Sequence, residues 1–416
     1  MLKAFFLTVL LAVFNLNNAA QNRIFAQKTI DTLASNAFYG RGYVNDGDKK
    51  AAMFLVDEYV RAGLKPLKKD INKDVLSAGL FLYPFSFSVN TFPGKCDVKI
   101  DGKELVPGKD FLVNPGCPSI NKSFSIKSAN SNKYQKRIKK TALLYDTSYK
   151  HTRAELVKTA KFNLKITLQK KITWSVATYQ DSKAGVEILK TSLPVNAKKI
   201  TVNIKSKLIN HEASNVIGYI EGAEIKDTFI LLTAHYDHLG MMGKTMFPGA
   251  NDNASGVAMM LDMANYFCKH PCKYSIAFIA FAAEEPGLIG SKHYTDNPWA
   301  ELPLSRIKFL VNLDLMGSGE KGMAVVNSTI FPDYFKLLQT ANGNSDKKYL
   351  TGFKSRGKAA NSDHYWFVER GVKGFFFYLM GDYNHYHDIE DRAQNLRLGE
   401  YYDKSFLLIR DFIEKI

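Results

Sequence analysis

The feature that most constrains the fold is a series of nearly continuous apolar runs that begins after Ala213. Each run has the length of one strand, and helical spacing of apolar residues separates or follows the runs. Strands that are apolar along their whole length belong to sheets that are buried on both faces, and helices usually cover them. The strand segments are NVIGYIEG, TFILLTAHYD, YSIAFIAFAAEE, IKFLVNLDLMG, GMAVVNS and GFFFYLMG, and the helical segments are ASGVAMMLDMANYFC, PDYFKLLQTANG and GEYYDKSFLLIRDFIEKI. Residues 211–416 are therefore predicted to form an α/β domain with a mixed, largely parallel twisted sheet flanked by helices.

Acidic and imidazole side chains follow these apolar runs. Each has an ordinary explanation when taken alone, such as a helix cap for Asp252. In α/β sheets, however, ligands bind outside the carboxyl ends of the strands. We therefore expect one cluster at one edge of the sheet, drawn from His235, Asp237, His238, Asp252, Glu284, Glu285, Asp314, His385 and His387.

Crowding so many carboxylates at one edge is unfavourable unless a cation compensates them. No basic residue stands beside them in the sequence, so a pair of divalent metal ions is the expected compensation. Imidazole and carboxylate ligands suit zinc, and also cobalt or manganese. The absence of cysteine at these positions favours a catalytic zinc site over a structural one. Asp252, on a loop between the other candidates, is the natural carboxylate to bridge two ions.

Six motifs occur in order along this region: AHYDHLG, GANDNASG, AFAAEEPGLIGS, NLDLMG, SDHYWF and YHD. Together they resemble the motif series of the two-zinc secreted aminopeptidases, metallopeptidase family twenty-eight of clan MH. That clan shares the zinc exopeptidase, or phosphorylase/hydrolase-like, fold with zinc carboxypeptidases. The resemblance implies two zinc ions and peptide substrates with a free N-terminal amine.

The resemblance also implies which residues hold the metal ions. His235 and Asp314 would bind one ion, Glu285 and His387 would bind the other, and Asp252 would bridge them.

The remaining motif residues receive other roles from the resemblance. Glu284 would be the general base that takes a proton from the attacking water. Asp237 would accept the second N–H of His235 and fix the tautomer of that ring. His238 and His385 are expected at the rim of the site, and Asp363 and His364 have no assigned role.

The first 72 residues read as a leader followed by helices. Residues 1–20 have a lysine, a short apolar run and small residues before a cut after Ala20, which is the pattern of a secretory signal. The apolar run is shorter than the ~20 residues that a membrane-spanning helix needs, and no other segment is a candidate span. RIFAQKTIDTLAS and DKKAAMFLVDEYVRAG predict helices within residues 21–72 that pack on the catalytic domain.

Residues 73–210 have a different sequence pattern, with short segments that are rich in β-branched residues and alternate between apolar and polar positions. FSFSVNT, CDVKIDGKEL, TALLYDT, ITWSVATY and KKITVNIKSKL predict strands, and RAELVKTAKF predicts a helix. The region is predicted to be a β-rich inserted domain. Its sequence pattern, and its position between the N-terminal helices and the catalytic domain, resemble those of the protease-associated domain that many enzymes of this family carry.

The positive charge of the chain is concentrated in that region. Net charge is +16, and residues 121–210 contain about 20 Lys and Arg against 4 Asp and Glu, so the other residues balance. No nucleic-acid-binding module is recognisable, so no nucleic acid partner is expected. A solvated basic face is expected, with weak binding to anionic surfaces as the alternative.

The sequence therefore predicts an exported, periplasmic or extracellular, zinc-dependent aminopeptidase. The alternatives on the same fold are a glutaminyl cyclase with one zinc, a carboxypeptidase, and a catalytically silent binding protein. Export would permit disulfides, for which Cys96 with Cys117 and Cys268 with Cys272 are candidates whose pairing the sequence leaves open.

Overall fold

The structure, a computed structural model, describes residues 22–68, 78–128, 141–146, 163–343 and 348–416. The predicted signal peptide and the predicted helix RAELVKTAKF lie outside these ranges. No helix within them is both long and apolar enough to cross a membrane. The α-helices are α1 (Arg23–Leu33), α2 (Gly47–Ala62), α3 (Ser255–Phe267), α4 (Ile289–Asp296), α5 (Pro332–Ala341), α6 (His364–Glu369) and α7 (Glu400–Lys415).

The strands fall into two large sheets and one hairpin. They are β1 (Leu82–Thr91), β2 (Cys96–Ile100), β3 (Lys103–Glu104), β4 (Phe111–Val113), β5 (Ile120–Ser128), β6 (Thr141–Asp146), β7 (Leu164–Gln169), β8 (Ala184–Leu189), β9 (Lys199–Ile204), β10 (Lys207–Ile220), β11 (Ile225–His235), β12 (Gly240–Met242), β13 (Thr245–Phe247), β14 (Tyr274–Phe281), β15 (Ile307–Leu313), β16 (Met323–Val326), β17 (Phe353–Ser355) and β18 (Gly374–Leu379).

The first sheet has the strand order β1-β10-β14-β11-β15-β18-β16-β17. Its centre is parallel, because β14, β11, β15 and β18 run in the same direction. Antiparallel pairs of β1 with β10, β10 with β14, and β16 with β18 lie on either side. The predicted mixed α/β sheet is confirmed.

Both faces of this sheet are buried, as the apolar runs predicted. Along β14, Ile276 and Phe278 join one apolar cluster, whereas Ala277 and Ile279 join another on the opposite face. Helices α1, α2, α3, α5 and α7 contribute to the first cluster, and α4 and α6 contribute to the second. Successive side chains of a strand point to opposite faces, so full burial requires helices on both.

The second sheet has the order β3-β2-β9-β5-β6-β7-β8-β4 and its own apolar cluster. The turn at Asp101 and Gly102 joins β2 to β3, with positive φ at both residues. Strand β1 lies within the predicted insert of residues 73–210, yet it pairs with β10 in the first sheet. The second sheet itself runs from Cys96 to Ile204.

One predicted strand is wrong, because residues 172–179, ITWSVATY, form no strand. The backbone of Trp174 bonds to His387, which is 213 residues away, instead of to a neighbouring strand. All four cysteines are described and are free thiols, so neither candidate pair is joined in this structure.

Asp262 is a buried acid of α3 that lies apart from the sheet edge. It is 2% exposed and accepts hydrogen bonds from the Asn22 backbone N–H and the Tyr402 hydroxyl. Burial raises the pKa of its carboxyl from 3.8 to about 6. The folded chain therefore keeps this proton up to about pH 6, whereas the unfolded chain releases it near pH 4.

This difference predicts a falling stability between these two pH values. Since the folded state binds more protons, the free energy of unfolding should decrease by up to about 3 kcal/mol as pH rises from 4 to 6. The Asp262→Asn variant lacks the titrating group and should lose that contribution. Urea unfolding of both proteins at pH 4, 5 and 6 checks this, and parallel pH profiles would contradict it.

Candidate functional site

The acidic and imidazole residues of the motifs meet at the carboxyl edge of the parallel strands. His235 is the last residue of β11, and Asp314 directly follows β15. Glu284 and Glu285 come three and four residues after β14. Asp252 lies in a single helical turn, Ala250–Ala254, that leads into α3. The sequence-predicted cluster thus forms because adjacent parallel strands end at one edge.

Asp252 lies at the centre, and its two carboxylate oxygens face different partners. Oδ1 is 3.4 Å from Nε2 of His235, which is itself 3.4 Å from Oδ1 of Asp314. Oδ2 is 3.2 Å from Nε2 of His387, which is 3.3 Å from Oε2 of Glu285. All five predicted metal ligands therefore converge, and they form two sets of three that share Asp252.

Both imidazoles are oriented so that Nε2 faces these carboxylates. Nδ1 of His235 is 3.2 Å from the Asp237 carbonyl oxygen, and Nδ1 of His387 is 2.7 Å from the Trp174 carbonyl oxygen. A carbonyl only accepts, so each Nδ1 carries the proton and, in the neutral ring, Nε2 offers a lone pair. A lone pair that faces carboxylate oxygens needs a proton or a metal ion between them.

The pKa shifts of the imidazoles report the excess of negative charge. Burial acts to lower the pKa of His387, but Glu285 and Asp252 outweigh burial and raise it to about 11. Burial also acts to lower the pKa of His235, but the charges of Asp314 and Glu284 outweigh burial and raise it well above its usual value. A site that holds protons this strongly without a metal ion is suited to a divalent cation.

The two adjacent glutamates have opposite shifts. Burial raises the pKa of Glu284 well above its usual value, although His235 acts to lower it. Burial also acts to raise the pKa of Glu285, but His387 and His238 lower it well below its usual value. The surroundings thus shift the two pKa values apart, and they favour the ionised form of Glu285 and the protonated form of Glu284.

Asp237 positions this glutamate pair. Its Oδ1 accepts the Glu284 backbone N–H at 3.0 Å, and its Oδ2 accepts the Glu285 backbone N–H at 3.3 Å and the Tyr43 hydroxyl at 2.7 Å. Its carboxylate is 3.9 Å from Nδ1 of His235, farther than its own carbonyl oxygen. The ring orientation that was predicted for the carboxylate is therefore supplied in this structure by the nearer carbonyl.

Two residues near the carboxylates differ from the sequence-based expectation. His238, expected at the rim, is fully buried, and its Nδ1 lies 2.7 Å from Oε1 of Glu285. Arg41, from the N-terminal region, is fully buried and interacts electrostatically with Asp391, Asp252, Asp237 and Glu285. The expectation that no basic residue accompanies the acids is wrong, because tertiary packing brings Arg41 from a distant segment.

The Arg41 guanidinium holds the loop that carries Asp252. Burial lowers its pKa to about 10, so it stays charged at neutral pH. It donates to backbone carbonyl oxygens at 2.6–3.2 Å. The accepting residues are Leu33, Tyr236, Pro248, Gly249 and Asp252. On the other side of the loop, Asp391 accepts the backbone N–H groups of Asn251 and Asp252.

Replacing Arg41 with methionine is expected to lower the free energy of unfolding by about 3–5 kcal/mol, since buried carbonyls and acids lose their cation. The free energy of unfolding of Arg41→Lys should lie between those of the wild type and Arg41→Met. The lysine keeps the charge, but its ammonium cannot reproduce the planar fork of donors. Urea unfolding measures both, with the exposed Arg306→Met as control. Equal midpoints for Arg41→Met and Arg306→Met would show that these bonds do not stabilise the fold.

Asp314 is oriented by a chain of buried polar groups. The Thr233 hydroxyl donates to Asn312 Oδ1, Asn312 Nδ2 donates to the Ser362 hydroxyl, and that hydroxyl donates to Asp314 Oδ2. Asp314 Oδ1 is buried without a well-aligned hydrogen-bond partner among the described residues. A buried, unpaired carboxylate oxygen next to an imidazole lone pair fits a metal ligand.

The unassigned residues of SDHYWF are buried behind the site. Burial raises the pKa of Asp363 to about 7, and the charges of Asp237 and Asp314 act in the same direction. His364 is 1% exposed, packs against Phe376, and has its pKa lowered by burial to about 3. His385 contacts Tyr383 and is only partly buried, which agrees with a rim position.

Tyr386 lies at the mouth of the cluster. Its ring stacks on His387 with centroids 3.9 Å apart, and the residue is 51% exposed. Partial burial, together with the charges of Asp252 and Glu285, raises the pKa of Tyr386 above its usual value. The sequence analysis gave Tyr386 no role, although its position directly before the predicted ligand His387 in YHD indicates that it lies near the site.

Comparison with known proteins agrees with this geometry. Residues 215–409 match the sequence model of Peptidase family M28. Aminopeptidase YwaD of Bacillus subtilis (strain 168) is 35% identical over 189 residues, which are 44% of this chain and 39% of that protein. A vacuolar membrane protease of Saccharomyces cerevisiae (strain ATCC 204508 / S288c) is 30% identical over 192 residues, 45% of this chain and 18% of that protein. The matched region thus spans less than half of these relatives.

Solved structures share the fold over nearly the whole chain. BSAP, a zinc aminopeptidase from Bacillus subtilis, has a TM-score of 0.68 at 20% identity and covers 94% of both chains. The aminopeptidase from Aneurinibacillus sp. strain AM-1 has a TM-score of 0.64 at 20% identity, over 94% of this chain and 93% of that one. Residues 215–409 are thus similar to peptidase family M28, and the chain shares its fold with these two solved aminopeptidases.

Proposed function

We propose that this chain is a zinc-dependent aminopeptidase with two zinc ions, which removes N-terminal residues from peptides. The observation that carries the proposal is the position of Asp252, whose two oxygens face two separate sets of predicted ligands. The similarity to an aminopeptidase of Bacillus subtilis over the catalytic region supports it. Cobalt or manganese would suit the same mixed ligands.

The donor set fits such a centre. His235 and Asp314 with one oxygen of Asp252 would hold one ion, and Glu285 and His387 with the other oxygen would hold the second. A pair of divalent ions lowers the pKa of water and polarises a carbonyl group. Three ligands per ion leave room for water and substrate, which is the arrangement of catalytic rather than structural zinc.

The residues around the centre have separable roles in the proposed hydrolysis. Glu284 accepts a proton from the attacking water at its carboxylate and returns it to the nitrogen of the leaving peptide. Asp237 holds the backbone of Glu284 in place through Oδ1. Tyr386 keeps its phenolic proton at neutral pH and can donate a hydrogen bond to the substrate. The carboxylates around Glu284 offer an anionic partner for the N-terminal ammonium of a peptide.

Export is part of the proposal, since residues 1–20 have the composition of a secretory signal. The basic residues of the second-sheet region, residues 96–204, would form a solvated face, with weak attraction to anionic surfaces as a secondary property.

The activity is tested with the purified chain and a mixed peptide set, with and without a chelator. The set contains free N-termini, acetylated N-termini and N-terminal glutamine, and products are read by mass spectrometry. Stepwise loss of N-terminal residues from free peptides alone, abolished by the chelator, is expected. Loss of ammonia from glutamine peptides alone would indicate a cyclase, and trimming from the other end a carboxypeptidase. An unchanged peptide set with metal bound would leave a binding protein.

A further inference from the structure

We propose that Trp174, a residue of the second-sheet region, positions His387, so that this region forms part of the metal centre. Trp174 lies in the 170–183 loop, which connects β7 to β8. The inference rests on the proposed function, because it concerns one of the ions that His387 would hold.

Two hydrogen bonds join the residues reciprocally. His387 Nδ1–H donates to the Trp174 carbonyl oxygen at 2.7 Å, and the Trp174 backbone N–H donates to the His387 carbonyl oxygen at 3.2 Å. The first bond fixes the tautomer and the rotation of the imidazole, so that Nε2 faces Asp252 and Glu285. The second bond fixes the backbone from which the ring projects.

The backbone at His387 requires such support. Its φ is +55°, which is the left-handed region that residues with a Cβ rarely adopt. Conformations of this kind persist only where surrounding contacts hold them. The adjacent chain is held by the same region, since Lys171 Nζ donates to the Asn384 carbonyl oxygen and Ile389 packs against the apolar cluster of the second sheet.

Trp174 is itself anchored in that cluster. It is 4% exposed, and its ring stacks on Phe247 with centroids 4.7 Å apart and contacts Phe92 at 5.8 Å. Its indole N–H donates to the Val113 carbonyl oxygen of β4 at 2.8 Å. The partner of His387 is a backbone atom, so the side chain of Trp174 acts by placing that atom. The packing of the second sheet is thereby transmitted to one metal ligand.

Metal binding by the full-length chain tests this directly. Metal-free protein is titrated with Co²⁺ against a chromophoric chelator, and the visible absorption of bound Co²⁺ reports the ligand geometry. In Trp174→Ala, the affinity of one ion is expected to fall by about 10–100-fold, the usual effect of losing a partner that orients a ligand, while the other ion keeps its affinity. Trp174→Phe keeps the ring stacking but loses the indole bond, so a smaller loss of the same ion is expected.

A matched control separates positioning from general loosening of the second sheet. Phe124→Ala removes a ring that is 2% exposed in the same cluster, on β5. It should unfold at lower urea than the wild type and keep both cobalt affinities and the cobalt spectrum. In His387→Ala, which removes the ligand itself, adding Trp174→Ala should cause no further change in the affinity of the remaining ion.

The outcomes distinguish this inference from the proposed function. Wild-type affinities in Trp174→Ala, or an equal loss in Phe124→Ala, would overturn the positioning role and leave the aminopeptidase proposal intact. If Trp174→Ala does not fold, wild-type affinities in Trp174→Phe would overturn it in the same way. A wild-type chain that binds no Co²⁺ would overturn both.

Discussion

Glu284→Gln is expected to lower kcat for peptide hydrolysis by about 10²–10⁴-fold, the contribution of a positioned general base. The amide has the shape of the carboxylate but cannot accept the proton of the attacking water. The backbone N–H of residue 284 still donates to Asp237, so the local geometry is retained. Glu284 belongs to neither set of three predicted ligands, so both ions should stay bound.

Steady-state kinetics and metal analysis of the same preparation check this result. The values of kcat and kcat/KM should fall together, because a proton transfer stabilises only the transition state. The exposed Glu301→Gln variant is the control and should match the wild type. Wild-type turnover in Glu284→Gln would assign the base to another group, and loss of metal ions would make Glu284 a ligand.

Asp252→Ala is expected to weaken the binding of both metal ions by more than about 100-fold, since orienting partners alone contribute 10–100-fold. The reason is geometric, because Oδ1 faces His235 and Oδ2 faces His387. Removing either of those imidazoles should instead weaken mainly one ion. Hydrolysis should be lost in the alanine variant at ordinary metal concentrations and should return in part when excess metal is added.

Chelator competition measures the two affinities separately. Asp262→Asn is the matched control, because Asp262 is a buried acid of α3 whose partners, Asn22 and Tyr402, lie outside the site. It should bind metal as the wild type does. If Asp252→Ala weakens a single ion, Asp252 is a ligand of that ion alone and the shared-carboxylate arrangement is wrong.

The catalytic region was largely predictable because its signals are local. The apolar runs ending in TAH, AFAAEE and NLD predicted β11, β14 and β15, and the parallel order then placed their ends at one edge. His235, Glu285 and Asp314 converge for this reason, whereas Asp252 comes from the turn before α3 and His387 from the segment between β18 and α7. Short elements without such a signal were not predicted, for example α4, α6 and the hairpin of β12 and β13.

The second-sheet region was less predictable. Its strands are short, and several pair with partners distant in sequence, such as β5 with β9. β1 shows the same limit, because its alternation indicates a strand but not the sheet that it joins. Pairing with β10 places it in the first sheet. Periodicity within a segment reports which face is buried, whereas the partner strand depends on the whole chain.

By itself, the sequence determined the longer helices and the apolar strands of residues 211–416, the sheet edge at which the acidic and imidazole residues collect, and the residue types suited to a metal pair. Only the tertiary structure decided what surrounds those residues. It buried His238 against Glu285, brought Arg41 under the Asp252 loop, and joined Trp174 to His387 across 213 residues. The physical reason is that these contacts use backbone carbonyls and buried charge pairs between distant segments. Spacing within a segment encodes its own period, but it does not encode the segment that packs against it.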